Sequence, residues 1–145
     1  PLIPPGENYL FLTEKKGYPN PIFKWRSRYW SFLLKLSPDL PSWTIQAQPG
    51  PYIGPFHWRN RRLRIEEYKR LQTFPDNYLI YGDRREKQKQ LGDAVPCLLA
   101  YHIALSVRQQ LVKAGLIEYS SSQDLSEEFK QTVKKEWPWL APYVL

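Results

Sequence analysis

The sequence predicts an α+β fold in which a small, irregular, strand-rich region is followed by helices. Ten of the fourteen prolines lie between Pro1 and Trp58, and long helices are disfavoured there because proline lacks an amide donor and fixes its own φ angle. Beyond that stretch, apolar residues recur at the spacing of one helix face. We therefore expect three parts, at residues 1–58, 59–115 and 116–145.

Three stretches of the first part are rich in aromatic and aliphatic residues and are bounded by Gly, Pro and Ser. They are residues 9–13, 29–36 and 43–47, and each is expected to form a short strand. Between residues 48 and 58 turn-forming residues are so dense that a shaped loop is favoured over regular structure. Such a loop can approach a ligand closely.

Three helices are predicted in the rest of the chain. The first begins after Leu63 and is ended by Pro75. The second covers residues 96–114 and repeats an apolar residue every four positions, at Leu99, Ile103, Val107 and Leu111. The third is amphipathic; it begins near Asp124, with Glu127 as its capping partner, and ends before Pro138.

Charge and aromatic content favour a polyanionic partner without proving one. The net charge is +7 and aromatic residues make up 15% of the chain. A positive surface interleaved with aromatics suits nucleic acid, because each Lys or Arg that meets a phosphate releases condensed counterions. A solvated basic surface that only keeps the protein soluble explains the charge equally well.

Several classes of site and location are disfavoured by the sequence. One cysteine and two histidines argue against a disulfide framework and a structural zinc site, and no glycine-rich phosphate cradle is visible. Cys97 opens an apolar helix and is interpreted as a packing residue rather than a nucleophile. His57 and His102 are interpreted as structural or surface residues. We expect no metal site, no membrane segment and a cytoplasmic protein.

Two blocks stand out together. The first, residues 61–76, reads RRLRIEEYKRLQTFPD, and the second, residues 90–96, reads QLGDAVP. In order and spacing they resemble the ninth and tenth conserved motifs of DNA cytosine-5 methyltransferases. The matching residues are Arg61, Leu63, Glu67, Arg70, Leu71, Gln72, Phe74, Pro75 and Asp76 in the first block and Gly92, Ala94, Val95 and Pro96 in the second.

The resemblance covers roughly residues 1–115 and shows two departures. Residues 29–58 are similar to the target-recognition region of one bacterial branch of the family, with Thr44 and Ile45 standing where that region carries a Thr and an aliphatic residue. Glu66 stands where the family usually has Arg, and Asp93 where it usually has Asn. The cofactor of the family is S-adenosylmethionine. Asp93 can accept a hydrogen bond from the ammonium group of its methionine end but repels the carboxylate there.

The resemblance implies transfer of a methyl group from S-adenosylmethionine to C5 of cytosine in a specific sequence of double-stranded DNA, in a bacterial restriction-modification setting near the nucleoid. Residues 1–58 would be the target-recognition region, and residues 59–115 would complete a Rossmann-like methyltransferase core, so the chain would be an incomplete domain by itself. The implied cofactor-binding residues are Gly92, Asp93, Ala94 and Val95. The candidate DNA-binding residues are Arg26, Arg28, Trp43, Thr44, Gln46, Gln48, Arg59, Arg61 and Arg62, with Lys24 beside them.

Some of these residues have an alternative role. Arg61, Glu67 and Arg70 lie at helical spacings, and an internal ion-pair network is favoured for them over DNA contact. In the family, a cysteine in a Pro-Cys motif attacks the base and a Glu-Asn-Val motif supplies an acid. We recognise neither motif in these residues, and Cys97, which follows Pro96, is interpreted as a packing residue.

No catalytic residue is therefore expected in this chain, which should be inactive alone. Its partner would be an amino-terminal catalytic portion or a separate catalytic subunit. A smaller subunit of a split methyltransferase, a non-catalytic DNA-binding or interaction module, and an unrelated ligand-binding aromatic domain remain as alternatives.

Overall fold

The computed structural model describes residues 3–117, 122–139 and 141. The chain folds into short 3-10 helices at Tyr9–Leu12 and Glu14–Lys16, strands β1 (Phe56–His57) and β2 (Arg61–Arg62), and helices α1 (Ile65–Leu71), α2 (Arg84–Asp93), α3 (Cys97–Lys113) and α4 (Ser122–Glu136). The two strands are antiparallel, with Phe56 opposite Arg62 and His57 opposite Arg61. The fold thus mixes helices with one small two-stranded sheet.

The expectation of a strand-rich first part is wrong. Residues 9–12 form a 3-10 helix capped by Asn8, whose side-chain oxygen accepts from the Leu10 amide at 2.9 Å. Residues 29–36 are turns joined to the chain by isolated bridges, and residues 43–47 form no strand. An extended run cannot pass through Leu33, whose φ is 53°, because a ladder needs consecutive residues in the β region.

Two compact units divide the chain. The first comprises Pro1–Tyr68 and Gly82–Asp93. Its apolar core includes Tyr9, Leu12, Leu34, Leu36, Ile45, Leu63 and Leu91, all less than a tenth exposed. Edge-to-face aromatic pairs extend this core, with the rings of Tyr9 and Phe32 5.5 Å apart and those of Phe23 and Phe32 5.6 Å apart. Packed aromatic rings therefore take the place of the predicted strands in this part of the core.

Helix α2 belongs to the first unit and was not predicted. Its start is a capping box in which the Glu86 amide donates to Asp83 Oδ1 and the Asp83 amide donates to Glu86 Oε2, each at 2.8 Å. The helix is mostly polar, although Leu91 is buried and anchors it to the core. The helix has too few regularly spaced apolar residues to be predicted from periodicity. Its Asp83–Glu86 capping pair does indicate a helix start.

The second unit comprises Lys69–Tyr81 and Ala94–Leu145, and α3 confirms the predicted helix at residues 96–114. It starts where the Cys97 amide donates to the Gln72 carbonyl and the Leu98 amide donates to Thr73 Oγ1, at 3.1 and 3.0 Å. Gly115 ends it with a φ of 69°, a conformation that glycine adopts easily.

Helix α4 confirms the last predicted helix and packs within the second unit. The rings of Tyr101 and Phe129 stack with centroids 4.5 Å apart, Val133 is fully buried, and Trp137 Nε1 donates to the Thr73 carbonyl at 2.6 Å. The predicted cap at Asp124 lies outside the residues whose side chains the structure describes.

Helix α1 confirms the first predicted helix but ends earlier than expected. It stops at Leu71, four residues before Pro75, because Thr73 turns the backbone to a φ of 54°. The Phe74 amide then donates to the Lys69 carbonyl at 2.9 Å and closes the turn. The functional division at residues 58 and 115 stays a prediction, since the compact units follow a different, discontinuous path through the chain.

Helix α3 keeps an apolar stripe exposed. Leu99, Ile103 and Val107 are each 52% exposed. By length and composition alone, the helical stretch Arg84–Lys113 could cross a membrane. That criterion is weak evidence, because core helices of soluble proteins meet it too, and here the helical backbone is interrupted at residues 94–96.

Candidate nucleic-acid interface

The first block contains a clamp between β2 and α1. Arg61 Nη1 and Nη2 donate to the two carboxylate oxygens of Glu67 at 2.8 and 2.6 Å, and the Arg64 amide adds a third bond at 2.8 Å. These bonds, those from Arg61 above all, lower the pKa of Glu67 from 4.5 to about 2, although partial burial opposes the shift. Glu67 is therefore a firmly ionised structural anchor.

His57 lies against this clamp as a neutral ring. Its Nδ1 accepts from the Arg59 amide at 3.0 Å, and its Nε2 is 3.8 Å from Glu67 Oε1. Burial, followed by the positive charge of Arg61, lowers the pKa of the imidazole. The ring also stacks on Trp58, with centroids 3.9 Å apart. Its contacts fit the structural interpretation rather than that of a general base.

Arg70 forms a separate pair, so the expected three-residue network is divided in two. Its Nε and Nη2 donate to the two carboxylate oxygens of Asp76 at 3.0 and 2.9 Å, and these bonds lower the pKa of Asp76. Lys69 Nζ adds a bond to the Asp76 carbonyl at 2.8 Å. The Arg70–Asp76 pair thus stabilises the carboxyl end of the first block. The Arg61–Glu67 clamp stabilises its start.

Gly92 of the second block permits a close approach within the first unit. A Cβ atom there would overlap the backbone of Ala47 and come within 2.7 Å of the Gln46 carbonyl carbon. Only glycine lets α2 lie this close to the segment that carries several candidate DNA-binding residues. The close packing of α2 on the backbone of residues 46–47 is therefore as good a reason for glycine at this position as contact with a cofactor.

The other residues of the second block have distinct surroundings. Lys89 Nζ and Asp93 Oδ2 form an exposed ion pair at 2.6 Å on α2. In the second unit, the Ala94 carbonyl accepts from Gln72 Nε2 at 3.3 Å, and Val95 is 59% exposed. The charges of Asp93 and Lys89 are complementary to those of the ammonium and carboxylate groups of an amino acid.

All nine candidate DNA-binding residues belong to the first unit, and eight of them are exposed. Arg61 is the exception, because it is half-buried in the clamp. Gln46 Nε2 donates to Ser31 Oγ at 3.0 Å, which holds the Gln46 amide in one orientation. Arg26 keeps its side chain outward while its backbone amide and carbonyl both bond to the Tyr9 hydroxyl.

A basic groove of about 720 Å³ lies in the first unit, between the proline-rich loop (residues 47–51) and the start of α2. It brings together two predicted residues, Gln48 and Arg62, with two that sequence reasoning missed, Arg84 and Arg85. The missed pair follows directly on the capping residue Asp83, but nothing local in the sequence places it beside the loop. We call this feature the basic groove.

Cys97 is not prepared for nucleophilic attack. Burial raises the pKa of its thiol, whereas a reactive cysteine needs a lowered one. Among the residues that the structure describes, no three His, Cys, Asp or Glu side chains converge as a metal site.

Comparison with known proteins places these features in a family. The family described as C-5 cytosine-specific DNA methylase matches residues 8–109. The chain is 50% identical over 119 residues to the type II methyltransferase M.SacI of Streptomyces achromogenes, a match that covers 75% of this chain and 30% of the relative. No solved structure matches the chain.

Two further relatives carry similar names. The chain is 35% identical over 112 residues to the DNA (cytosine-5-)-methyltransferase M.ApeKI of Aeropyrum pernix, covering 75% of this chain and 23% of that protein. It is 34% identical over 116 residues to the type II methyltransferase M.Eco47II of Escherichia coli, covering 77% and 28%. The chain thus spans about a third or less of the length of these relatives, and it belongs to the C-5 cytosine-specific DNA methylase family.

Proposed function

We propose that this chain supplies target recognition and core closure to a DNA cytosine-5 methyltransferase of a restriction-modification system. The observation that carries the proposal is the family match over residues 8–109, which includes both blocks. The full activity would move a methyl group from S-adenosylmethionine to C5 of a cytosine flipped out of a specific DNA duplex. A protein with this role works in the cytoplasm, on chromosomal DNA.

The first unit would read the DNA. Major-groove recognition needs side chains that donate and accept hydrogen bonds, and the exposed Thr44, Gln46 and Gln48 provide them on one segment. The exposed Arg59 and Arg62 lie close in sequence and suit phosphate contacts that fix the register. Arg61 would act through its bond with Glu67, as a positioning residue rather than a DNA contact.

The second unit would close the catalytic core. Leu99, Ile103 and Val107 are each half exposed on one face of α3, and Val95 precedes them. Burying the exposed half of each side chain against an apolar face contributes about 1 kcal/mol per residue. We propose that this stripe packs on the portion that carries the cofactor's glycine-rich loop and the catalytic cysteine.

Asp93 and Lys89 would hold the amino-acid end of the cofactor. Asp93 would accept from its ammonium group, and Lys89, which is paired with Asp93 at 2.6 Å, would offer a cation to its carboxylate. This pairing offsets the repulsion that an aspartate in place of the family's asparagine would exert alone. S-adenosylmethionine itself supplies the electrophilic methyl group when it is bound.

Reconstitution tests the proposal. The chain is mixed with the portion of a relative such as M.SacI that bears the Pro-Cys and Glu-Asn-Val motifs, and transfer of radiolabelled methyl groups to duplex DNA is measured. We expect transfer only in the mixture, and none when the catalytic cysteine of the other portion is replaced by serine. Methyl transfer by the chain alone would contradict the assignment of the catalytic cysteine to another portion.

A second candidate is a DNA-binding module without catalysis. It is favoured by the presence of Asp93 at a position where the family usually has Asn. It predicts that the chain assembles with a catalytic portion, or binds duplex DNA alone, while methyl transfer stays absent. If Asp93→Asn restores transfer to such an assembly, the exchange accounts for the lost activity.

A further inference from the structure

The basic groove has the charge of an anion site. Its lining comprises residues 47–51, Arg62, Asp83, Arg84, Arg85 and Gln88. Three arginines thus face one carboxylate, and that carboxylate is engaged, because Asp83 Oδ1 accepts from the Glu86 amide at 2.8 Å. Since Asp83 and Glu86 cap each other, the start of α2 is not itself the anion site; the charge of the groove comes from side chains.

Two of the arginines are held in place by the protein. Arg62 Nη2 donates to the Pro51 carbonyl at 2.9 Å, and Arg84 Nη2 donates to the Leu63 carbonyl at 2.8 Å. Each guanidinium has five N–H donors, so these single bonds orient the side chain and leave further donors available. Orientation before binding reduces the conformational entropy lost when a ligand arrives.

Gln88 adds a side-chain amide to the lining of the groove. The residue is 8% exposed and lies on α2, four residues after Arg84 and three after Arg85. A side-chain amide carries two N–H donors. A ligand with oxygen acceptors would therefore pair with this amide as well as with the arginines around it.

We infer that the basic groove binds the phosphodiester backbone of the DNA duplex, with Arg84 and Arg85 contacting phosphates, Gln88 bonding a phosphate oxygen, and Arg62 holding the proline-rich loop beside the strand. This inference rests on the proposed function and assigns a DNA-positioning role to α2, outside residues 24–62 where the other DNA contacts are expected. Because phosphates carry no sequence information, these contacts set register and affinity without selecting bases.

Salt dependence of binding tests the inference without knowledge of the target sequence. Fluorescence anisotropy of a labelled 20-bp duplex of arbitrary sequence is measured with the full chain over a series of KCl concentrations. Removing one phosphate contact lowers the slope of log affinity against log salt by about 0.9. For Arg85→Gln this corresponds to roughly eightfold weaker binding at 0.1 M salt.

Lys87→Gln is the matched control, because it removes the same charge from the same helix at a residue that does not line the groove. Arg84→Gln serves as a second variant, and thermal melting verifies that each variant is folded, since Arg84 also bonds to the protein backbone. We expect the slope to fall for Arg85→Gln and to stay near that of the unaltered chain for Lys87→Gln.

The outcomes separate this inference from the proposed function. If the unaltered chain binds the duplex and Arg85→Gln has the same slope as Lys87→Gln, the groove does not contact phosphates and DNA binding occurs elsewhere. If the unaltered chain fails to bind duplex DNA even at 50 mM salt, the role in DNA recognition fails first, and the assignment of the groove fails with it.

Discussion

Replacing Glu67 by Gln removes the charge that Arg61 and the Arg64 amide bind. The amide of glutamine keeps the size of the side chain, but it has one acceptor oxygen where the carboxylate has two, so it cannot reproduce the paired bonds from both guanidinium nitrogens. The change therefore opens the clamp between β2 and α1 while leaving the surrounding packing intact. The first unit should lose stability without losing its fold.

The magnitude follows from the pKa of Glu67. A drop from 4.5 to about 2 corresponds to roughly 3 kcal/mol of stabilisation at pH 7. Since 30% of the Glu67 side chain is exposed, solvent screening reduces this figure, and we expect Glu67→Gln to lower the free energy of unfolding by about 2 kcal/mol.

The effect has a defined pH dependence. Because folding lowers the pKa of this carboxyl, its contribution is complete above the ordinary pKa of 4.5 and is lost as pH falls toward about 2. The difference between the unaltered chain and Glu67→Gln should therefore stay constant from pH 7 to pH 6 and shrink to roughly half by pH 3.

Urea unfolding followed by tryptophan fluorescence measures both quantities. The matched control is Glu66→Gln, which removes the same charge from the neighbouring, exposed position and should change the unfolding free energy by about 0.5 kcal/mol or less. Equal effects of the two variants at pH 7, or a Glu67→Gln effect that grows on acidification, would refute the clamp.

Three further predictions concern glycine packing, the cysteine thiol and a tryptophan hydrogen bond. Gly92→Ala should lower the unfolding free energy by about 2 kcal/mol or more, whereas Gly50→Ala, where a Cβ meets its nearest neighbour at 3.5 Å, should stay within about 1 kcal/mol; urea unfolding distinguishes them. Alkylation of Cys97 by iodoacetamide at pH 7 should be slower than that of free cysteine, because burial raises the pKa of the thiol; an equal rate would contradict this. Trp137→Phe removes the 2.6 Å bond to the Thr73 carbonyl and should lower the melting temperature by an amount equivalent to about 1 kcal/mol; an unchanged melting temperature would show that this bond is not stabilising.

Local patterns predicted the helices that carry strong periodicity. Helices α3 and α4 appear where four-residue spacing and mixed charge indicated them, because helix formation depends on neighbours within a few residues. Helix α2 was missed for the complementary reason: only Gln88 and Leu91 are buried in its ten residues. Its Asp83–Glu86 capping pair was nevertheless readable from the sequence.

The predicted strands are wrong because a segment rich in aromatic residues can pack its rings in a core without forming a sheet. Tyr9 does lie in the core, and Phe32 packs edge-to-face on it, but both belong to an aromatic cluster connected by turns. Strand formation requires a partner segment at a matching register, and the residues that would have provided one are interrupted by prolines and by the positive φ of Leu33. Such pairing is not encoded in any short window of sequence.

From the sequence alone came the family resemblance, the two ordered blocks and the basic, aromatic character of the chain, since these depend only on which residues occur and at what spacing. The tertiary structure decided the partners: Glu67 for Arg61, Asp76 for Arg70, and the Ala47 backbone against Gly92. It also created the basic groove, whose residues come from separate segments of the chain. Ion pairs and grooves depend on distances of a few ångströms, and only the folded backbone sets those distances.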